Sequence, residues 1–208
     1  MTAFAACAAC AALTSLASVD AHAQSFSPDR PARISADATI GDGAAAGATG
    51  AIAVNETAGI NNVQANQLTL TNGGAIANVN TISQEASANA KVTSASASIN
   101  GNAFSNSSGA VMLNQSAGAA NLQRNSAQLG TAAIGGVETV SDGELSATAP
   151  KNGSQGQPLG VHNVREANIS NDAFKNVSGI VQINQTAGAG NATANSFVLR
   201  PPAGTFFN

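Results

Sequence analysis

GAVMLNQSAGAANLQRN, Gly109 to Asn125, decides the fold, because the chain spells it three times. The same stretch reads GAIAVNETAGINNVQAN from Gly50 and GIVQINQTAGAGNATAN from Gly179. Extended outward without a gap, the comparison gives a unit running Ile40–Leu70, Ile99–Leu129 and Ile169–Leu199. Ile40, Ala44, Gly50, Asn55, Ala58, Gly59, Asn62, Asn66 and Leu70 of the first copy are matched by the same residue in both others. A unit this small cannot bury a core of its own, so the copies must stack.

Inside the unit the period is that of strands. Apolar residues alternate at Ile52/Val54, Val111/Leu113 and Val181/Ile183, which puts Asn55, Asn114 and Asn184 on the opposite face. A first short strand is expected to begin at Ile40, Ile99 or Ile169 and to turn near Gly47, Asn106 or Asn176. Ala-Gly at 58–59, 117–118 and 187–188 reads as a second turn, with a last strand running from Asn62, Asn121 or Asn191 to the terminal Leu. Gly50, Gly109 and Gly179 are assigned to turns as well, together with Gly59, Gly118 and Gly188. A helix is excluded by Gly and Asn throughout the unit and by the lack of an apolar stripe at helical spacing. The expected fold is all-β: three stacked imperfect repeats forming a β-solenoid or cross-β arrangement with Greek-key-like layers and flexible linkers.

Composition agrees. Charged residues make up 9% of the chain and aromatics 3%, with no Trp or Tyr. So few large apolar side chains cannot build a conventional core, and so few charges do not fit the highly charged kind of disorder. Cohesion must come largely from backbone and amide hydrogen bonds. The net charge of −3 is too small to imply nucleic acid or an anionic membrane as partner.

The N-terminus reads as a secretory signal over residues 1–23: an Ala-rich apolar run from Phe4 to Val19, then Ala21-His22-Ala23, an A-x-A cleavage pattern. Cys7 and Cys10 would leave with it, and the exported chain would hold no disulfide. Residues 24–39, with Pro28, Arg30, Pro31 and Arg33, are expected to be a disordered lead. Repeat 1 occupies 40–70, linker 1 71–98, repeat 2 99–129, linker 2 130–168, repeat 3 169–199, and 200–208 form a C-terminal tail. The first linker has apolar residues enough to order partly against the repeats. The second, with Pro150, Pro158 and several Gly, reads as flexible.

Stacked in register, identical residues recur about every 4.8 Å. Asn suits such a stack, since its carboxamide donates and accepts at once. Asn55, Asn114 and Asn184 are expected to form one ladder. Asn62, Asn121 and Asn191 form a second, and Asn66, Asn125 and Asn195 a third. Gln115 and Gln185 form a fourth, with Glu56 in that row of the first copy. One carboxylate beside Gln is tolerable, whereas a carboxylate in every layer would repel. Phe104 and Phe174, with Ala45 in the first copy, read as filler between sheets. The glycosylation-like triplets at Asn55, Asn114 and Asn184 read as coincidence in a chain so rich in Asn, Ser and Thr.

The pattern G-x-[IV]-x-[VIL]-N-[QE]-[ST]-A-G-x-x-N-x-x-x-N, in three imperfect repeats with unequal linkers behind a signal, resembles the Fap-type functional amyloids of bacterial biofilms. The resemblance implies a secreted subunit that polymerises into cross-β fibres at the cell surface. It implies itself and a related fibre subunit as partners, with an outer-membrane secretion pore and a periplasmic chaperone. The family's major subunit carries a Cys pair near its C-terminus, and the tail RPPAGTFFN has none, so both the major and the nucleating role stay open.

The ends of the stack suggest the mechanism. Strand edges at top and bottom are left unpaired, and an incoming chain can pair with one and offer the same edge again. The rival reading is a monomeric β-solenoid adhesin or binding module, which needs capped ends and rows of aromatic or acidic residues. An enzyme reading finds no cofactor motif, no metal-ligand cluster and no catalytic constellation. His162, the histidine that survives signal removal, lies in a linker.

Overall fold

The computed structural model describes residues 31–71, 84–130 and 164–199 of the chain. Every element in them is a strand. The first copy contains β1 (Ala32–Ile40), β2 (Thr49–Ile60) and β3 (Val63–Thr71). The second contains β4 (Ala90–Ile99), β5 (Ser108–Ala119) and β6 (Leu122–Gly130). The third contains β7 (Val164–Ile169), β8 (Ser178–Ala189) and β9 (Ala192–Leu199). Equivalent strands pair across copies into three parallel sheets, β1-β4-β7, β2-β5-β8 and β3-β6-β9. The second copy therefore lies between the other two. Each copy is one layer, and each layer contributes one strand to each sheet.

The register is that of the repeat. Asn55 pairs with Asn114 and Asn114 with Asn184, Gly59 with Gly118 and Gly118 with Gly188. Asn66 meets Asn125, and Asn125 meets Asn195. The β2-β5-β8 sheet is the central one. Ile52, Val54 and Ala58 face the first sheet, where Ile40 and Ile99 join Val111 and Leu113 in one apolar cluster, and Ala36, Ala38, Ala95 and Ala97 join Ala117 in another. Asn55, Asn114 and Asn184 face the third sheet. Small side chains let the first two sheets close tightly, so the apolar cores are thin and built mainly from Ala, Ile and Val.

Two features differ from the sequence reading. The first strand of each copy does not begin at Ile40, Ile99 or Ile169 but ends there. β1 lies in the segment read as a disordered lead, and β4 and most of β7 lie in segments read as linkers. The signal for β1 is the alternation of buried Ile34, Ala36, Ala38 and Ile40 with exposed Arg33, Ser35, Asp37 and Thr39. The repeat does not carry this signal, because the three copies share few identities there and a bulge between Ile34 and Ser35 shifts the β1–β4 register at Thr93. Second, the six glycines assigned to turns lie within strands β2, β5 and β8. The chain reverses instead at Asn61, Ala120 and Gly190, each of them left-handed. The turn expected near Gly47, Asn106 and Asn176 forms there, with all three residues left-handed.

Part of the first linker packs on the repeats, as its apolar content suggested. Ala86 is buried with Ala120 and Leu122, and the Asn61 side chain donates to the Ser87 carbonyl at 2.6 Å. The signal, residues 24–30 of the lead, residues 72–83 of the first linker, most of the second linker and the tail lie outside the described residues.

Candidate functional site

The side chains singled out by the repeat come together between the second and third sheets. Asn114 Nδ2 donates to Asn55 Oδ1 at 2.9 Å, and Asn184 Nδ2 donates to Asn114 Oδ1 at 2.9 Å. Beside this row, Asn125 Nδ2 donates to Asn66 Oδ1 and Asn195 Nδ2 to Asn125 Oδ1, both at 2.9 Å. The two rows are cross-linked within each layer. Asn66, Asn125 and Asn195 donate to Asn55, Asn114 and Asn184 at 2.9, 3.0 and 3.1 Å. Backbone carbonyls share the remaining protons: Asn114 reaches Ala65 O and Asn125 reaches Leu113 O, at 2.9 and 3.0 Å. Each Asn thus joins its own layer to the next and one sheet to another.

The Asn62, Asn121 and Asn191 row occupies the reversal between the second and third strands. Asn121 donates through both its backbone N and its Nδ2 to Asn62 Oδ1, at 3.0 and 2.9 Å. Asn191 repeats this on Asn121 Oδ1 at 3.2 and 2.9 Å. These residues cap a turn and build a ladder at the same time. On the other face of the central sheet, Gln115 Nε2 donates to Glu56 Oε2 and Gln185 Nε2 to Gln115 Oε1, both at 2.8 Å. The same Gln protons reach carbonyls of the first sheet. Gln115 contacts Ala38 O and Ser98 O, and Gln185 contacts Ala97 O and Asn168 O.

One row was missed in the sequence. Gln64 Nε2 donates to Gln123 Oε1 at 2.7 Å and to the Glu56 carbonyl at 2.8 Å, while Gln123 Nε2 donates to the Gln115 carbonyl at 2.9 Å. The third copy has Thr193 at this position, so a search for residues common to all copies passes over it. Two Gln in register were the available signal.

Glycine sets how closely the layers approach. Gly109 and Gly118 have φ of 119° and 126°, a region L side chains rarely enter. A Cβ on Gly109 would strike the Gly50 carbonyl, and one on Gly118 the Gly188 carbonyl. These are strand positions where only a hydrogen fits between layers.

The model of the functional amyloid protein FapB/FapC family matches residues 16–202. The chain belongs to that family. It is a functional amyloid subunit, and its family is one of structural fibre proteins rather than enzymes. No solved structure matches the chain.

For a family member, the informative surfaces are the two ends of the stack. In the middle layer Val111, Leu113, Asn114 and Gln115 are all 0% exposed. Their counterparts in the outer layers are not: Val181 is 40% exposed, and Ile52 and Val54 are half-buried. The ends also differ in hydrogen-bonding sense. On the first layer, Asn55 Nδ2 donates to none of the described residues. On the third, the side-chain oxygens of Gln185, Asn191 and Asn195 accept from none of them, and Asn184 Oδ1 accepts only from Asn195. One end offers amide protons and the other offers amide oxygens.

Proposed function

We propose that this subunit polymerises head to tail, the third layer of one molecule receiving the first layer of the next, into extracellular fibres that support biofilm formation and adhesion. The observation that carries the reading is the mismatch between the middle layer and its neighbours. A position closed off on both sides in the second copy is open on one side in the first and third. Another molecule in the same register would supply the missing side. Its Asn55 would donate to Asn184 Oδ1, its Asn66 to Asn195, and its Asn62 backbone to Asn191. The six outer strand edges would pair in the parallel sense already used twice within the molecule. Linkers of different length are compatible with this, since successive ladder partners are 59 residues apart between the first two layers and 70 between the last two.

Export through an outer-membrane pore with a periplasmic chaperone, and co-assembly with a related subunit, complete the proposal. A signal over residues 1–23 is consistent with that route. The test is X-ray fibre diffraction from quiescent, purified chain beginning at Gln24, with dye-binding kinetics alongside. Meridional and equatorial reflections near about 4.7 and 10 Å, with seeds removing the lag, are expected. A monodisperse β-rich monomer that never seeds would rule the fibre reading out.

A further inference from the structure

The Glu56 row makes the contact between molecules chemically unlike the contacts within one. This inference rests on the head-to-tail reading above. Within the molecule the row runs in one direction, each layer donating an amide proton to the side-chain oxygen of the layer before it. Gln185 donates to Gln115, and Gln115 to Glu56. Continued into the next molecule, the residue that must donate to Gln185 Oε1 is Glu56, and an ionised carboxylate has no proton to give.

The backbone around the row makes this worse. In the second and third layers the Gln Nε2 lies between two carbonyls of the first sheet, one in its own layer and one in the layer before. By the same register, the corresponding oxygen of Glu56 at a joint would face the Thr39 carbonyl of its own molecule and the Ala167 carbonyl of the preceding one. Together with Gln185 Oε1 that makes three acceptors and no donor. Rotating the Gln185 amide to offer its protons would give up its bonds to Gln115, Ala97 and Asn168.

Charges that could compensate are few. β3 and β5 carry none, and β1 carries Arg33 and Asp37 on its exposed face. Lys91 of β4 stands in register with Arg33. Across the joint β8 and β9 carry none, and β7 brings Arg165 and Glu166. The Arg165 side chain runs beside Gly188, three residues along β8 from Gln185. Glu166 shares a row with Ser96 and Asp37, so a pair of carboxylates also meets at the joint, on the outer face of the first sheet.

We infer that Glu56 is protonated when a molecule joins the fibre, its carboxylic acid O–H donating to Gln185 of the preceding molecule. Each addition therefore takes up a proton at this row. A group that is neutral in the fibre and ionised in the free chain favours assembly at low pH, and that contribution is lost as pH rises. Glu56 gates elongation, and it does so once per molecule because the other two copies have Gln in its place.

The experiment is the concentration of soluble chain left in equilibrium with seeded fibres, from about pH 4 to pH 8. It compares wild type with E56Q, a substitution that installs the residue found at this position in both other copies. D37N serves as the control for the outer-face pair. For wild type, residual soluble chain is expected to rise with pH, approaching tenfold per unit where one proton is exchanged. E56Q is expected to flatten most of that slope and to leave less soluble chain than wild type at neutral pH. D37N should keep the slope. In fibres held above the ordinary glutamate range, a carboxylic acid C=O infrared band present in wild type should be missing from E56Q. An unchanged slope in E56Q overturns the inference while leaving the fibre intact. So does poorer assembly of E56Q at neutral pH, as an Arg165–Glu56 ion pair across the joint would produce. Absence of seeded fibres from every variant at every pH would instead sink the fibre reading and this inference with it.

Discussion

A side-chain amide inside this stack is worth more than the same amide on a surface, because no water competes for it. Asn114 is fully buried and holds five neighbours at once, donating to Asn55, Ala65 and Asn66 and accepting from Asn184 and Asn125 across two sheets. Leu in its place fits the volume roughly but supplies no partner to any of them. Each buried group left unpaired costs about 1–3 kcal/mol. Replacing Asn114 and Asn184 together by Leu is therefore expected to lengthen the lag and slow fibre growth, with fibres dissolving at lower denaturant. Unchanged lag and yield would mean that the ladder contributes nothing to assembly. Asn55, Asn66 and their equivalents were legible in the sequence because all three copies keep them. Gln64 and Gln123 were not, because identity across copies was the criterion and Thr193 breaks it. The chemistry tolerates the break: Gln123 turns to Thr186 Oγ1 at 3.2 Å on that side.

Between the first and second strands, each layer bends through a turn in which Ala45, Phe104 or Phe174 is left-handed, as is Gly47, Asn106 or Asn176 two residues on. The two rings stack with centroids 5.0 Å apart and planes 5° from parallel, and Phe104 is 1% exposed. They fill space at the closed end of the first two sheets, among Ile99, Ala103, Val111 and Leu113. Because Ala45 adopts the same backbone in the first layer, Phe104→Ala removes the ring without asking the turn for a new conformation. The expected cost is about 3–5 kcal/mol, the usual range for emptying a buried Phe site. Half-buried Phe174 should cost less on the same change, and denaturant unfolding of the two variants checks the order. Equal losses would show that the turn, not the ring, sets the energy. At this scale the sequence was read unevenly. The second and third strands were visible through repeated Asn and alternating Val, Leu and Ile. The first was hidden because its copies share few identities, and because in β4 Ala alternates with Ser, so that burial follows the period with little contrast in size.

A molecule of three equivalent layers cannot be uniformly stable. The middle copy has a neighbour on each side, and the outer copies have one, so β4 to β6 enclose the best-protected backbone and β1 to β3 and β7 to β9 carry the open edges. That inequality belongs to the single molecule and not to the repeat, whose sequence gives each copy much the same ladder residues. Head-to-tail assembly would abolish it, since every layer would then be a middle layer. Amide hydrogen exchange, read strand by strand in mature fibres, makes this quantitative. Protection over Thr49–Ile60 and Ser178–Ala189 is expected to rise toward that of Ser108–Ala119, because each would have a parallel strand on both sides. Ile52 and Val181 would be shielded as Val111 already is. The joint itself should remain the softest layer contact, as it holds the carboxylate row, and its exchange should speed up selectively at higher pH. If β2 and β8 stay labile in fibres while β5 is protected, the molecules must associate through a lateral surface instead. The open strand edges would then be exposed in the fibre, and head-to-tail growth would be wrong.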